Sequence, residues 1–162
     1  MSFESNETLL AFLPDGFAFE LCSEGEAWWR EAAQALEWGK LMTIDYGATI
    51  DELVSPERKD GTLRGYYHHH LTTDLLANPG EQDLTAHVNF TALITAGEKG
   101  GLETEKFETQ AQFLTKIAAQ GRYGKSIEQW SSSRARQFQT LTHPEHLGRS
   151  FRVLVQSRNG MA

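Results

Sequence analysis

Ionisable side chains cluster between residues 40 and 86 of this 162-residue chain. Asp45-Tyr46-Gly47 closes an apolar run, and Arg64 lies in the motif Gly-Thr-Leu-Arg-Gly-Tyr. Three histidines follow at residues 68–70, and Asp83 and Thr85 lie a short distance beyond them. A carboxylate holds cations or accepts protons, a guanidinium grips anions through its planar fork, and an imidazole transfers protons near neutral pH. This region is therefore the candidate site.

Each of these side chains also has a structural interpretation. Asp45 either faces a ligand at the carboxyl end of a strand or fixes the following turn. Tyr46 either lines a pocket or covers the sheet end. Arg64 either binds an anion or forms an ion pair with Asp83 or Asp45. Asp83 either caps a turn or accepts a proton, and Gln110 either caps a helix or contacts a substrate.

The histidines also raise the question of a metal site. In an extended strand His68 and His70 would share one face, and His69 would point the other way. A zinc site needs three or four donors. His87, or the pair at residues 143 and 146, would have to complete it, although that pair also fits the first turn of a helix. A metal hydrolase is the last-ranked function.

The common catalytic motifs are absent from the sequence. There is no G-x-G-x-x-G after a strand, no P-loop and no G-x-S-x-G elbow. The glycines at residues 121 and 124 follow a predicted helix rather than a strand. The single cysteine, Cys22, excludes a disulfide within the chain and is interpreted as a small core residue.

Alternating helical and extended patterns predict an α/β fold. We predict strands at residues 17–21, 40–46, 62–67, 102–107 and 151–156, and helices or helical turns at 72–76, 91–99 and 134–141. Capping boxes at Ser23/Glu26, Thr109/Gln112 and Thr142/Glu145 predict three further helix starts. Residues 121–133 are predicted to be a surface connection. The order strand, helix, strand in the first third indicates a parallel sheet, and the tryptophans at residues 28, 29 and 38 are expected in the core.

Composition excludes several partners. The net charge is −7, with both signs mixed along the chain, whereas a nucleic-acid surface needs a clustered basic face. No apolar run reaches the length of a membrane span. The first residues are acidic and polar and lack the shape of a signal peptide. We therefore expect a cytoplasmic protein with no nucleic acid or membrane partner.

Taken in order, the motifs resemble the C-terminal half of the MidA-like S-adenosylmethionine-dependent methyltransferases. That family includes the mitochondrial complex I assembly methyltransferase, which modifies an arginine of a partner protein. The resemblance runs from about residue 17 to residue 156, and Asn89 stands where the family often has Asp. The motifs that carry it are residues 39–47, 61–66, His69, 79–80, 83–90, Thr109-Gln110, Phe113-Leu114, 143–148 and 151–155.

The resemblance implies the fold and the site. It implies the C-terminal portion of a Rossmann-like sheet, with helices on both faces and a terminal antiparallel strand. Residues 1–162 would form a single partial domain that lacks the N-terminal, cofactor-binding half. The cofactor would be S-adenosylmethionine, with no cofactor-binding residue in this chain. It places Asp83, Asp45 and His69 as catalytic residues, and Tyr46, Arg64, Thr85 and Gln110 as substrate-binding residues.

Two functions compete at this stage. The chain is either the substrate-side half of a methyltransferase, which modifies a protein side chain such as arginine and is inactive alone, or a non-catalytic module that acts by protein–protein association. Its partners would be a protein substrate, a second copy of the chain, or a protein that pairs with an exposed sheet edge.

Overall fold

The computed structural model describes residues 13–120 and 130–160, which fall into two compact units. We call residues 23–48 together with 88–120 and 130–160 the sheet unit, and residues 13–22 together with 49–87 the hairpin unit. The predicted surface connection at residues 121–133 lies largely outside the described residues. Within the described ranges, no helix has the length and apolarity of a membrane span.

The elements of the described chain alternate between helix and strand. The helices are α1 (Ser23–Ala35), α2 (Ile50–Leu53), α3 (Phe90–Lys99), α4 (Gln110–Ala119) and α5 (Ser132–Thr142), with a 3₁₀ turn at Pro56–Arg58. The strands are β1 (Gly39–Ala48), β2 (Arg64–Tyr67), β3 (His70–Thr72), β4 (Asp83–Thr85), β5 (Val88–Asn89), β6 (Glu103–Thr109) and β7 (Phe151–Arg158).

The sheet unit contains a mixed four-stranded sheet of order β5-β1-β7-β6. Strand β1 is parallel to β5, whereas β7 is antiparallel to both of its neighbours, β1 and β6. Strand β7 therefore runs antiparallel to the other three strands of this sheet. This arrangement confirms the predicted α/β fold with a terminal antiparallel strand. The strand, helix, strand unit predicted for the first third does not form, because residues 17–21 are not among the described strands and β1 pairs in parallel with β5 instead.

The core of the sheet unit lies between the sheet and helices α1 and α3. Trp29, Phe90, Ala96 and Leu154 are buried together there. A fully buried amide, Gln156, lies among them. Its Oε1 accepts from Trp29 Nε1 at 2.7 Å, and its Nε2 donates to the Ile94 carbonyl at 3.0 Å and to Thr104 Oγ1 at 2.9 Å. Every polar atom of the amide is thus paired, as burial requires.

The hairpin unit contains a three-stranded antiparallel sheet of order β3-β2-β4. His68 and His69 connect β2 to β3 and have φ angles of 48° and 64°. Two residues with positive φ between paired strands form a type I′ hairpin turn. The condition under which His68 and His70 would share a strand face is therefore not met, because the chain reverses at His68-His69.

Other local predictions also need correction. Residues 17–21 form only an isolated bridge, between Ala18 and Asp60, so the predicted strand is wrong. In this segment the Glu20 carboxylate accepts hydrogen bonds from Thr62, in a loop of the same unit. Residues 73–78 form turns rather than a helix, and no helix follows Thr142, because residues 144–150 form turns before β7. Cys22 is exposed.

Only one of the three tryptophans is a core residue. Trp29 is 3% exposed, whereas Trp28 and Trp38 are 65% and 73% exposed. Consecutive positions on a helix point about 100° apart, so Trp28 cannot share the buried face of Trp29. The prediction that all three fill the core is wrong for two of them.

Candidate functional site

The carboxyl ends of β5, β1 and β6 lie at one edge of the sheet unit, because these three strands run in the same direction. Asp45 is directly opposite Arg152, and Arg152 is directly opposite Thr109. Directly opposed residues share a face of the sheet. A carboxylate, a guanidinium and a hydroxyl therefore form one row at the edge where open α/β sheets bind ligands.

Asp45 and Tyr46 have partners within this edge. Asp45 is half-buried, and its Oδ1 accepts from the backbone N–H of Tyr46 at 2.8 Å. The phenol ring of Tyr46 packs edge-on against Phe151, with 5.7 Å between ring centroids. Asp45 and Tyr46 both lie within β1, which continues to Ala48, so this hydrogen bond does not fix a turn and the turn-fixing interpretation is not supported. Among the described residues no donor reaches its second oxygen.

Gln110 holds two helices together. It is buried, and its Nε2 donates to the carbonyl of Leu141 at 2.8 Å, which joins the start of α4 to the end of α5. The preceding residue, Thr109, forms the predicted capping box with Gln112. The side chain of Gln110 is therefore engaged by the protein, and substrate contact stays a prediction.

A second group of predicted residues shares one face of the three-stranded sheet in the hairpin unit. Tyr66 is directly opposite Leu71 on one side and Asp83 on the other. Arg64, two residues before Tyr66, is directly opposite Thr85. Opposed residues and residues two apart lie on the same side of a sheet. We call these five residues the hairpin face.

The hairpin face combines charge, aromatic surface and apolar surface. Arg64, Tyr66, Leu71 and Asp83 are all exposed, and Thr85 is half-buried. Arg64 Nη1 donates to the carbonyl of Leu63 at 2.7 Å, and within the described chain it forms no ion pair with its diagonal neighbour Asp83. Both charges are therefore available on a solvent-facing surface. The ion-pair interpretation that involves Asp83 is not supported.

A shallow cavity adjoins the hairpin face. It has a volume of about 240 Å³ and lies against Arg64 and Leu71. Leucines and threonines supply the rest of its lining, namely Leu63, Thr72, Thr73 and Leu75. Arg64 is the only charged residue among the described residues that line it.

His69 lies in the type I′ turn at the end of the hairpin, next to this face in sequence but not in the strands that form it. In the parts of the chain that the structure describes, no three His, Cys, Asp or Glu side chains are grouped so that they could hold a metal ion. The described residues therefore do not supply the further donors that a metal site at residues 68–70 would need.

A hydrogen-bond network anchors the start of β2. The sequence did not predict this network. The carboxylate of Glu20 accepts from the Thr62 and Leu63 backbone N–H groups at 2.7 and 2.9 Å and from Thr62 Oγ1 at 2.8 Å. Thr62 Oγ1 in turn accepts from the His87 backbone N–H at 2.9 Å. Arg58 Nη1 lies 2.8 Å from His87 Nδ1. The network joins three distant segments just before Arg64.

The network shifts the titration of two of its members. Burial raises the pKa of Glu20, but the hydrogen bonds from Thr62 and Leu63 lower it more, so its pKa lies below the ordinary value. Burial and then the Arg58 guanidinium lower the pKa of His87. A neutral His87 accepts from Arg58 at Nδ1, which places the ring proton on Nε2. Gly61, with φ of 71°, lies so close to Glu20 that any side chain there would overlap the carboxylate.

A protein-family comparison decides what the chain is. Residues 3–108 match the family described as "Putative S-adenosyl-L-methionine-dependent methyltransferase". The chain belongs to this family. Its members are dependent on S-adenosyl-L-methionine, as the resemblance had implied. No curated protein matches the chain.

Two solved structures of COG1565 superfamily proteins from Burkholderia thailandensis are similar to the chain. An uncharacterized protein is 29% identical with a TM-score of 0.82, and the match covers 100% of this chain and 45% of that one. A superfamily member bound to S-adenosyl-homocysteine is 29% identical with a TM-score of 0.81, and the match covers 100% of this chain and 44% of that one. This chain therefore spans less than half the length of these relatives.

The described residues do not supply a glycine-rich cofactor cradle. Gly47 follows a strand, but a side chain there would overlap the Val88 carbonyl and the ring of Phe90. Gly47 is therefore needed for close packing of the protein against itself, not for the approach of a ligand.

Proposed function

We propose that this chain is the substrate-side part of a MidA-like methyltransferase that modifies a protein side chain, with arginine as the acceptor, in the cytoplasm. Membership of the S-adenosyl-L-methionine-dependent family carries the reaction type. The acceptor rests on the make-up of the hairpin face. The cofactor supplies the methyl group when it is bound, and this chain supplies the surface that positions the acceptor.

The hairpin face has the groups that recognise a guanidinium. Asp83 offers a carboxylate that can pair with two guanidinium N–H groups. Tyr66 lies beside it and offers an aromatic face for a cation–π contact. Thr85 adds a hydroxyl two residues from Asp83 on the same side. Because Asp83 is exposed and forms no described ion pair, a bound guanidinium would not have to displace a competing cation.

Arg64 and the edge of the sheet unit complete the proposal. Arg64 would repel a free cation, so it selects an acceptor whose neighbouring chain carries an acidic residue or a carbonyl. Within the sheet unit, Asp45 remains a proposed catalytic residue, and Tyr46 and Gln110 remain proposed substrate-binding residues. His69 remains proposed to accept the proton that the acceptor loses. Positioning and proton removal are the main contributions that a protein can make to such a transfer.

Replacement of Asp83 tests the proposal. In enzyme assembled with the part of the protein that this chain does not span, we expect Asp83→Asn to reduce methyl transfer to a protein acceptor by about 100-fold or more, because the carboxylate both orients the acceptor and favours its deprotonation. The measurement is incorporation of labelled methyl from S-adenosylmethionine. Glu81→Gln, an exposed carboxylate two residues away, is the matched control.

The experiment must separate chemistry from folding. Thermal unfolding of Asp83→Asn should match that of the wild type, since an exposed substitution without a buried partner changes stability by less than about 0.5 kcal/mol. Equal transfer rates for the wild type and Asp83→Asn would remove Asp83 from the site.

The second candidate is a non-catalytic module that acts through protein–protein association. It is favoured by the length of the chain, which covers at most 45% of either solved relative. The two candidates differ in one observable. Only the first gains methyl-transfer activity when the portion that the solved relatives have outside the match is supplied.

A further inference from the structure

The register between β2 and β4 decides which side chains meet on the hairpin face. These strands share three residue pairs, which begin with Arg64 opposite Thr85 and end with Tyr66 opposite Asp83. A slip of one residue would move Asp83 and Thr85 to the other side of the sheet from Arg64 and Tyr66. Because the ladder is short and has Gly65 at its centre, it specifies this register weakly unless contacts beyond its ends restrain it.

The backbone of His87 supplies such a restraint at one end of the ladder. Thr62 and His87 lie two residues beyond the pair of Arg64 and Thr85, so they continue the same register. The N–H of His87 donates to Thr62 Oγ1 at 2.9 Å, and the buried hydroxyl donates in turn to Glu20 Oε2 at 2.8 Å. A slip of one residue moves one strand by about 3.3 Å along the other, which would break the bond between His87 and Thr62.

The imidazole of His87 joins the same end of the ladder to the 3₁₀ turn at Pro56–Arg58. Its Nδ1 lies 2.8 Å from Nη1 of Arg58. A guanidinium can only donate, so this contact requires a neutral imidazole that accepts at Nδ1. The carbonyl of Arg58 accepts from the N–H of Gly61 at 2.9 Å, directly before Thr62. Arg58 therefore contacts the chain on both sides of the ladder end, after β4 and before β2.

Three charged side chains act on the His87 ring from three segments of the hairpin unit. They are Arg58 in the 3₁₀ turn, Glu20 in residues 13–22 and Arg64 in β2. Burial lowers the pKa of His87 most, the two guanidiniums lower it further, and Glu20 opposes them. The pKa thus lies below the ordinary value of 6.5, and the ring is neutral at neutral pH. Protonation in acid would replace the hydrogen bond to Arg58 with a contact between two cations.

We infer that His87 is a positioning residue of the proposed acceptor site, because its backbone N–H and its neutral ring hold β2 and β4 in the register that forms the hairpin face. It acts through Thr62 and Arg58 rather than on the acceptor itself. Protonation of the ring releases Arg58 and loosens this end of the ladder, so the site weakens in acid. The acceptor role of the face rests on the proposed function, whereas the restraint on its register does not.

The isolated chain tests the restraint on the register. NMR would follow the ring of His87 and the amides of Gly65 and Leu84, the central pair of the ladder, as pH falls from 6.5 to 4.5. Glu20 stays ionised over this range, because its pKa lies below 4.5. Both amides should shift with the same midpoint as the His87 ring. Amides that stay unchanged while His87 becomes protonated would overturn the inference.

Two substitutions separate the hydrogen bond of the ring from its charge. His87→Asn supplies an amide oxygen that accepts from Arg58 but does not titrate, so the step in the Gly65 and Leu84 amides should disappear. His70→Asn removes an exposed imidazole of the same unit and should leave the step unchanged. A step that persists in His87→Asn would contradict the inference. The titration of the wild type decides the question if His87→Asn does not fold.

The second test measures the acceptor. The enzyme is assembled by co-expression of this chain with the portion of the S-adenosyl-homocysteine-bound Burkholderia protein that it does not match. The KM for a protein acceptor should rise at least about fivefold as His87 becomes protonated, with little change in kcat, because a hydrogen bond that holds the site is lost. His87→Asn should keep the KM of neutral pH throughout.

The two tests distinguish the inference from the proposed function. A KM of the wild type that does not follow the titration of His87 would overturn the inference and leave the methyl acceptor as proposed. Absence of transfer to any arginine-containing acceptor would reject the proposed function, and the NMR titration of the chain alone would still decide whether His87 holds the register.

Discussion

At the scale of single residues, Gln156 has a fully buried side-chain amide whose hydrogen bonds must all be satisfied within the sheet unit. Its three hydrogen bonds join α1, α3 and β6 to the centre of the sheet. A side chain at residue 97 would overlap this amide, so the position requires glycine. The residue is therefore fixed by polar pairing and close packing together.

Gln156→Leu should destabilise the protein strongly. The substitution keeps most of the volume but leaves the buried Trp29 indole N–H without its acceptor, at a cost of about 2–4 kcal/mol in the free energy of unfolding. Urea denaturation measures the change. Gln137→Leu, on the exposed side of α5, is the control and should shift stability by less than about 0.5 kcal/mol. A similar small effect at residue 156 would contradict the proposed role.

Glu20 is expected to make stability depend on pH. Its pKa is lower in the folded chain than its ordinary value of 4.5, so its contribution is complete above that value and is lost as pH falls through the folded pKa. Glu20→Gln should therefore cost about 1–2 kcal/mol at neutral pH, because the amide accepts fewer hydrogen bonds. The difference from the wild type should shrink below pH 4.5.

The control for this comparison is Glu81→Gln in the same unit, whose carboxylate is exposed. Denaturation curves of the three proteins at several pH values give the result. A Glu20→Gln deficit that stays constant down to the acid transition would show that the carboxylate charge is not what holds Thr62 and Leu63.

At the scale of elements, the hairpin turn contains two histidines in a backbone conformation that histidine seldom adopts. His68 and His69 both have positive φ, which disfavours residues with a Cβ atom. The double substitution His68→Asn with His69→Gly should stabilise the chain by about 1 kcal/mol, because the Asn-Gly dipeptide is preferred in type I′ turns. Chemical denaturation measures this gain, and an unchanged midpoint would show that the turn is relaxed.

The same variant tests the proposed role of His69. If its imidazole accepts the proton, methyl transfer by the assembled enzyme falls while stability rises. His68→Asn alone is the control, since it leaves His69 in place. Transfer at the wild-type rate in the double variant would leave His69 with a conformational role only.

Local signals explain which elements could be predicted from the sequence. A run of apolar residues correctly predicted β1, and alternation of apolar residues correctly predicted β7. The Thr109/Gln112 capping box correctly predicted the start of α4. These features depend on neighbours within a few residues. The pairing of Gly39 with Arg158 depends on chain folding across most of the sequence, so the antiparallel direction of β7 against β1 had no local signal.

The site was predictable only in part for the same reason. Period-two alternation places Arg64 and Tyr66 on one side of a strand, but only the register of β4 brings Asp83 and Thr85 beside them. Glu20 was not predicted, because its partners lie more than forty positions away. The turn at His68-His69 was not predicted either, because histidine is not among the residues that favour a two-residue hairpin turn.

At the scale of the whole molecule, the chain has the fold and family of a methyltransferase but less than half the length of its solved relatives. The groups that we propose to bind the acceptor lie on the hairpin face, and one edge of β1 is unpaired over residues 39–44 within the described chain. These features are consistent with one division of labour. This chain would position the acceptor, and the remaining polypeptide would hold the cofactor.

The most direct test of this division is calorimetric titration of S-adenosyl-homocysteine into the chain alone and into the chain assembled with the complementary Burkholderia portion. We expect no measurable heat of binding for the chain alone and binding of one equivalent for the assembly. Stoichiometric binding by the chain alone would contradict the account, since it would place the cofactor site within these 162 residues.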